Sequence, residues 1–338
     1  MGQTTFHQKR KRLRARRITL ICLAILLLAA LIVGAVWLVG RQLGQGGDAD
    51  VTPSTTTTAP TTTTTTRRPL RQLPADYIDL HTEAKRILLY DVSEPAVLYS
   101  KNADDICAPA SLTKLMTAIV ALENADVDTV LTAGNELHLL DPQSSRADIY
   151  IGHKLTLYQA LQGLLMESGN DAAYIIAAQV GQMMDPTLSG QDAIDFFCQK
   201  MTEKAAELGC TNTTFLNPDG IDQKGHQTTA NDLLKIALYA MDQPLIAEIA
   251  ATEKASVTFE SGQTRQWENR NLLLDSDGTY AYEGAVGLKT GTTDGAGKCL
   301  ISVATRNGRT ILCILLGAPT EELRWRESME LLDLGFFC

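Results

Sequence analysis

Between Ile18 and Gly40 the chain reads ITLICLAILLLAALIVGAVWLVG, a run without a single charge. A helix rises about 1.5 Å per residue, so about 20 such residues cross the hydrocarbon core of a bilayer, and this stretch is expected to span one. Lys9, Arg10, Lys11, Arg12, Arg14, Arg16 and Arg17 precede it, with no Asp or Glu among residues 1–17. Cations flanking a span stay cytoplasmic. The expected layout is a basic cytoplasmic tail over 1–17, a transmembrane anchor over 18–40 and an extracytoplasmic remainder. A cleaved signal peptide fits less well, because its apolar core runs to about 7–15 residues and no clear A-x-A site follows here.

The next segment cannot pack a core. Residues 51–66 (VTPSTTTTAPTTTTTT) are mostly Thr with two Pro, and such a composition buries too little apolar surface to offset chain entropy. Residues 41–75 are read as a linker, averaging roughly 35 Å as a flexible coil and about 110–120 Å if extended. It lifts the remaining domain, 76–338, off the membrane.

Charge narrows what that domain does. Seven of the chain's 30 Lys and Arg lie in the tail, so the rest sets 23 basic against 39 acidic residues. A surface that acidic argues against nucleic acid, whose phosphates call for cations. Beyond Cys22 in the span, six cysteines are too sparse to scaffold a domain this large. There is no C-x-x-C and no H-E-x-x-H, and the five histidines are scattered, so no metal or other cofactor is expected.

RILLYDV (86–92) and AVLYS (96–100), joined through Pro95, read as a hairpin. LTKLMTAIVALENA begins a helix near Ser111, and helical spacing recurs over about 157–167, 170–182, 190–208 and 229–242. Residues 287–318 read as strands, with Asn307-Gly308 turning LISVATR into RTILCILL, and a last helix over about 320–334 is expected to end at Gly335. Strands at both ends with helices between predict an α/β domain whose sheet pairs the first strand with the last. A two-residue turn at Asn307-Gly308 sets Arg306 opposite Arg309 and Ser302 opposite Cys313. Cys299 then faces the other side, so a Cys299–Cys313 disulfide is not expected.

Three short motifs follow in order: Ser111-Leu-Thr-Lys114, Ser168-Gly-Asn170 and Lys289-Thr-Gly291. In a chain this long S-x-x-K and S-x-N each arise about once by chance and K-T-G about 0.1 times. Ser100-Lys101-Asn102 is such a stray S-x-N. Alone, Ser111–Lys114 reads as a helix start with a solvated lysine, Ser168–Asn170 as a helix cap and Lys289-Thr-Gly291 as a strand end. The ordered set, each member in fitting local structure, points to chemistry instead. Ser111 and Lys114 share a helix face one turn apart. A serine hydroxyl is a feeble nucleophile until a base takes its proton, and lysine serves as that base only where burial or a neighbouring cation lowers its pKa. Lys289 is a candidate for the cation and for attracting an anionic substrate. Ser168 and Asn170 suit a proton relay and an amide-binding group.

Residues 108–117 (APASLTKLMT), 167–172 (ESGNDA) and 287–300 (GLKTGTTDGAGKCL) resemble the low-molecular-mass D-alanyl-D-alanine carboxypeptidases, which are penicillin-binding proteins. Asn217-Pro-Asp-Gly220, Thr229-Ala-Asn-Asp232 and Asn271-Leu-Leu are similar to that family's intervening blocks. The resemblance covers about 76–338. It implies an antiparallel sheet sandwiched by helices with an all-helical subdomain bearing the Ser168 loop. It also implies a serine D,D-carboxypeptidase acting on peptidoglycan stem peptides ending in D-Ala-D-Ala, with β-lactams as covalent inhibitors. By the resemblance Ser111 is acylated, Lys114 is its base, and Ser168, Asn170, Lys289 and Thr290 line the substrate. Backbone N–H groups of Ser111 and Thr292 would hold the oxyanion. Arg324 falls where the family places an arginine near the terminal carboxylate, with Arg326 close by as a rival. Many relatives add a β-rich domain and a C-terminal anchor, which are not expected here.

Three other readings compete. A β-lactamase or esterase of the same fold is disfavoured, because no E-x-x-L-N element lies between Ser168 and Lys289 to supply a deacylating glutamate. A catalytically silent wall-binding ectodomain would be free to lose Ser111, Lys114 and Lys289, all of which are present. An α/β-hydrolase requires a G-x-S-x-G that the chain lacks. Cross-link endopeptidase activity is a close variant of the main reading.

Overall fold

Near-continuous apolar runs at the two ends of the domain come together as one sheet. The structure is a computed structural model that describes residues 81–338; the expected tail, anchor and linker lie outside the described residues. In chain order the elements are β1 (Arg86–Asp91), β2 (Ala96–Lys101), α1 (Thr113–Asn124), β3 (Val130–Thr132), β4 (Lys154–Thr156), α2 (Leu157–Leu165), α3 (Asn170–Met184), α4 (Gln191–Glu207), α5 (Ala230–Met241) and α6 (Pro244–Ala251). They continue with β5 (Lys254–Thr258), β6 (Thr264–Glu268), β7 (Ala285–Thr293), β8 (Gly297–Arg306), β9 (Arg309–Ala318) and α7 (Glu321–Phe337). Five strands form an antiparallel sheet in the order β2-β1-β9-β8-β7, so the first long strand pairs with the last, as expected.

Successive side chains of a strand point to opposite faces. Ile87, Leu89, Leu300, Ile311, Cys313 and Leu315 pack with Trp325, Leu331 and Leu332 of α7. Leu88, Ile301, Val303, Leu312, Ile314 and Leu316 pack into the larger core shared with α1 to α6. Coverage on both faces is why these strands are apolar at nearly every position. The β8–β9 register sets Ser302 opposite Cys313 and Arg306 opposite Arg309. Cys299 belongs to one core and Cys313 to the other, and all six cysteines of the described residues are unpaired.

Helix α1 runs through the larger core. From Thr113 to Ala121 every residue is buried, the mark of a helix enclosed on all sides. Among the described residues no helix is long and apolar enough to cross a membrane.

Three expectations need correction. Gly335 does not end the last helix, which continues to Phe337. A Cβ at Gly335 would sit 2.5 Å from Cγ2 of Ile311, so this glycine lets α7 lie close on the sheet. The helical subdomain is not all-helical: it carries two ribbons, β3–β4 and β5–β6. Thr156, at the end of β4, caps α2 by accepting from the Gln159 N–H. Helix α6, of only eight residues, and the β5–β6 hairpin were not anticipated; the short hairpin strands bury Val257 and Trp267 in the larger core, with Phe259 just beyond.

Candidate active site

Ser111 sits in a 3₁₀ turn, Ala110–Leu112, just ahead of α1 rather than in its first α-helical turn. Two glycines let this turn nest. Gly220, at φ +92, lies so close that a Cβ there would stand 1.9 Å from the Ala110 carbonyl oxygen. From the sheet side, a Cβ on Gly291 would come 3.0 Å from Ala110 Cβ and 3.2 Å from Ser111 N. The glycine of the Lys-Thr-Gly motif is thus what brings edge strand β7 against the nucleophile's turn.

One turn on, Lys114 is fully buried, and its Nζ reaches three oxygens: Ser111 Oγ at 2.8 Å, Asn170 Oδ1 at 2.8 Å and the Asp219 backbone O at 2.7 Å. The Asn170 amide is oriented without ambiguity, because its Nδ2 donates at 2.6 Å to the Asp219 carboxylate. Carbonyl oxygens only accept. A neutral Lys114 therefore spends both N–H groups on Asn170 and Asp219 and aims its lone pair at the Ser111 hydroxyl. Burial lowers this amine to about 8, against the opposing pull of Asp219 and Asp171. Burial likewise raises the Asp219 carboxyl, partly offset by Lys114.

Ser168 occupies the left-handed region at φ 57, a strained placement that costs about 1–3 kcal/mol. The loop is held from two sides. Ser145 Oγ donates to the Ser168 carbonyl at 2.6 Å and Ser145 O accepts from Asn170 N at 2.8 Å. Asp171, buried at the start of α3, accepts from Ala147 N and Ile149 N. The β5–β6 hairpin buttresses the same loop: Trp267 Nε1 donates to Ala147 O at 3.0 Å and Glu268 N to Glu167 Oε1 at 3.0 Å. Asn170 is the first residue of α3, so the S-x-N motif places its hydroxyl in a loop and its amide on a helix.

These elements enclose a cavity of about 330 Å³ lined by Ser111, Ser168, Asn170, Thr290, Thr292 and Arg324, among others. Six of the eight residues expected at the site therefore line one cavity. Lys114 and Lys289 do not line it; both are buried behind it. Lys289 donates to the Thr290 carbonyl at 3.1 Å. Burial, then Lys114, Arg270 and Arg324, push its amine well below the usual lysine range. Carboxylates stand near Lys114 and cations near Lys289, so the surrounding charges favour a proton on the first and oppose one on the second. Burial, not the charge expected at Lys289, is the main cause of the lowered Lys114 amine.

The arginine ambiguity is resolved. The Arg324 side chain is 7% exposed and its Nη1 donates to Thr292 Oγ1 at 3.1 Å, whereas Arg326 is 54% exposed and pairs with Glu322 and Glu330 on the outer face of α7. The sequence reading missed Asp219, Ser145, Arg270 and Glu321. For Asp219 a signal existed, an acidic residue within Asn217-Pro-Asp-Gly220. Ser145 lies in a loop with no pattern to mark it.

The model of the D-alanyl-D-alanine carboxypeptidase family matches residues 73–320. A D-alanyl-D-alanine carboxypeptidase of Streptomyces sp. strain K15 is 33% identical over 251 residues, 71% of this chain and 82% of that protein. One from Bacillus subtilis is 29% identical over 261 residues, 76% of this chain, and the chain spans only 63% of its length. The crystal structure titled Streptomyces K15 DD-transpeptidase superposes with a TM-score of 0.70 at 31% identity, covering 76% of this chain and 98% of that one. Penicillin-binding protein D2 of Listeria monocytogenes, in an ampicillin-bound form, gives 0.63 at 29% identity, covering 76% and 99%. A nucleophile's turn, a buried amine and an edge strand brought together in this way, with these matches along the described domain, place the chain in the D-alanyl-D-alanine carboxypeptidase family.

Proposed function

We propose that this chain is a serine D,D-carboxypeptidase that removes the terminal D-alanine from peptidoglycan stem peptides. The observation that carries the reading is the Lys114 amine, 2.8 Å from Ser111 Oγ with its other two partners able only to accept. Lys114 takes the Ser111 proton as Oγ adds to the carbonyl between the two D-alanines. The C–N bond then breaks, and the departing D-alanine amine carries that proton away. Water adds to the acyl ester, Ser111 is released, and the shortened peptide leaves as a carboxylic acid. Across both steps one water is consumed.

The remaining residues position the substrate. Asn170 presents its amide edge to the peptide, Ser168 offers a hydroxyl on the path of the proton, and Thr290 borders the chain along β7. Backbone N–H groups of Ser111 and Thr292 suit the oxyanion. Arg324 and Thr292 suit the terminal carboxylate. Lys289 acts from behind the wall, since any proton it holds disfavours one on Lys114. The anchor over 18–40 holds the domain at the outer face of the membrane, where its substrate is. β-Lactams acylate Ser111 and stay, because the one acidic residue lining the pocket, Glu321, is tied to Lys298 and Arg324. This disfavours the β-lactamase reading.

Labelling the chain with a fluorescent penicillin, beside Ser111→Ala, tests the acyl-enzyme; equal signal in both ends the assignment. An assay of D-alanine release, run with and without an added amine acceptor, then separates hydrolysis from transfer. Absence of D-alanine release in both would favour a silent binding domain.

A further inference from the structure

Arg324 already has a carboxylate partner within its own helix. Glu321, one turn earlier on α7, is bonded to its Nη2. Both residues line the pocket, and Glu321 is the only acidic residue among the lining. The two are unequally placed: the Arg324 side chain is 7% exposed and the Glu321 side chain 52%. Glu321 also has a second cation. Its Oε1 lies 2.9 Å from Nζ of Lys298, at the start of β8. One half-exposed carboxylate therefore bridges two cations, one sunk in the pocket wall and one nearer solvent.

The arrangement has a physical logic. A buried guanidinium without an anion carries a large desolvation cost, and a carboxylate from the same helix offsets it. Arg324 is otherwise fixed by Thr292 Oγ1 and by the face of Trp325, 4.3 Å away, and its buried Nε has no partner. A peptide carboxylate arriving at Arg324 and Thr292 meets Glu321 on the same guanidinium, and two carboxylates there repel. Glu321, half in water and already held by Lys298, has somewhere to go.

We propose that Glu321 tunes substrate affinity, as a resident carboxylate that the substrate's C-terminal carboxylate must displace from Arg324 while Lys298 retains it. The inference rests on the carboxypeptidase reading of the pocket. Displacement precedes chemistry and persists through it, so its effect falls on KM and leaves kcat alone. A blocked C-terminus brings no carboxylate and leaves Glu321 in place, so Glu321 weakens the binding of free C-termini and leaves that of blocked ones unchanged.

The test uses the full chain in detergent, an N-acylated peptide ending in D-Ala-D-Ala as substrate, and the same peptide with a C-terminal amide as competitor. Glu321→Gln keeps shape and hydrogen bonding but removes the charge. Expected are a KM about fivefold lower for the free acid, which is about 1 kcal/mol, kcat within about twofold, and an unchanged Ki for the amide. Lys298→Met should raise KM about threefold, and that effect should vanish in the Glu321→Gln background. A KM that rises or stays put in Glu321→Gln, or a parallel change for acid and amide, would mean that Glu321 merely props Arg324, and the proposal fails. Should the parent chain release no D-alanine and take no penicillin at Ser111, the carboxypeptidase reading and this inference fall together; an active parent with an indifferent Glu321→Gln sinks the inference alone.

Discussion

Replacing Asp219 by Asn removes one negative charge from beside Lys114 while leaving an oxygen for Asn170 to donate to. Lys114 Nζ meets Asn170 Oδ1 at 2.8 Å and Asn170 Nδ2 meets the Asp219 carboxylate at 2.6 Å, so a single amide separates the two charges. That geometry puts them about 6–7 Å apart, and at an effective dielectric constant of about 20 their attraction is about 2.5 kcal/mol. With about 1.4 kcal/mol per pH unit, full expression would move the Lys114 titration down by nearly two units, and relaxation reduces this to about one. The base must be neutral to accept the Ser111 proton, so kcat/KM should climb with pH through about 8 in the parent chain. In Asp219→Asn that limb should fall near pH 7, with a somewhat lower plateau because a weaker base drives the transfer less. Asp219→Ala should lose far more, since Asn170 is then unpinned. The assay is D-alanine release across pH 5.5–9.5 with Ser111 acylation by penicillin in parallel. An acid limb that stays at the same pH in Asp219→Asn would refute the electrostatic role given to Asp219.

Other outcomes follow from the same geometry. Gly220→Ala, at φ +92 with its Cβ 1.9 Å from Ala110 O, should lose at least about 1–3 kcal/mol from the backbone alone. It should also lose penicillin labelling out of proportion to its melting temperature; normal labelling would mean that the Ser111 turn tolerates displacement. His226 accepts from Leu216 N at 2.9 Å and donates to Thr113 Oγ1 at 2.9 Å, and burial lowers it to about 4. Its neutral form is the folded one, so its stabilisation is complete above about pH 6.5 and is lost as pH falls toward 4, a change of about 3 kcal/mol. Denaturant melts of the parent and His226→Gln between pH 7 and 4 should therefore converge; parallel curves would refute the assignment. Stopped-flow and steady-state assays with penicillin should show rapid acylation and slow release, and rapid steady-state turnover would bring back the β-lactamase reading.

Much of this was legible before any coordinates. The alternating cores of β1, β8 and β9 appear as apolar runs, Asn307-Gly308 sets the hairpin register, and the opposed faces of Cys299 and Cys313 follow from counting residues. Ser111 and Lys114 lie three residues apart on one chain direction, so local geometry alone puts the amine beside the hydroxyl. What periodicity reports is local. Short elements escape it: α6 has eight residues, and the β5–β6 hairpin shows only Ala255, Val257 and Phe259 in alternation before Trp267 completes its buried face. Periodicity also placed the end of α7 at Gly335, where the glycine answers to Ile311 on the sheet.

The charge states belong to the tertiary structure entirely. Lys114 and Lys289 are both plain lysines in sequence, and the motif suggested a neutral base beside a cation. Folding puts the Asp219 and Asp171 carboxylates near the first and Arg270, Arg324 and Lys114 near the second. A pKa is set by burial and by the charges that long-range contacts bring within a few ångströms. The spacing of Ser111, Ser168 and Lys289 along the chain thus names the participants, while only the folded wall decides which amine carries the proton and which carboxylate guards Arg324.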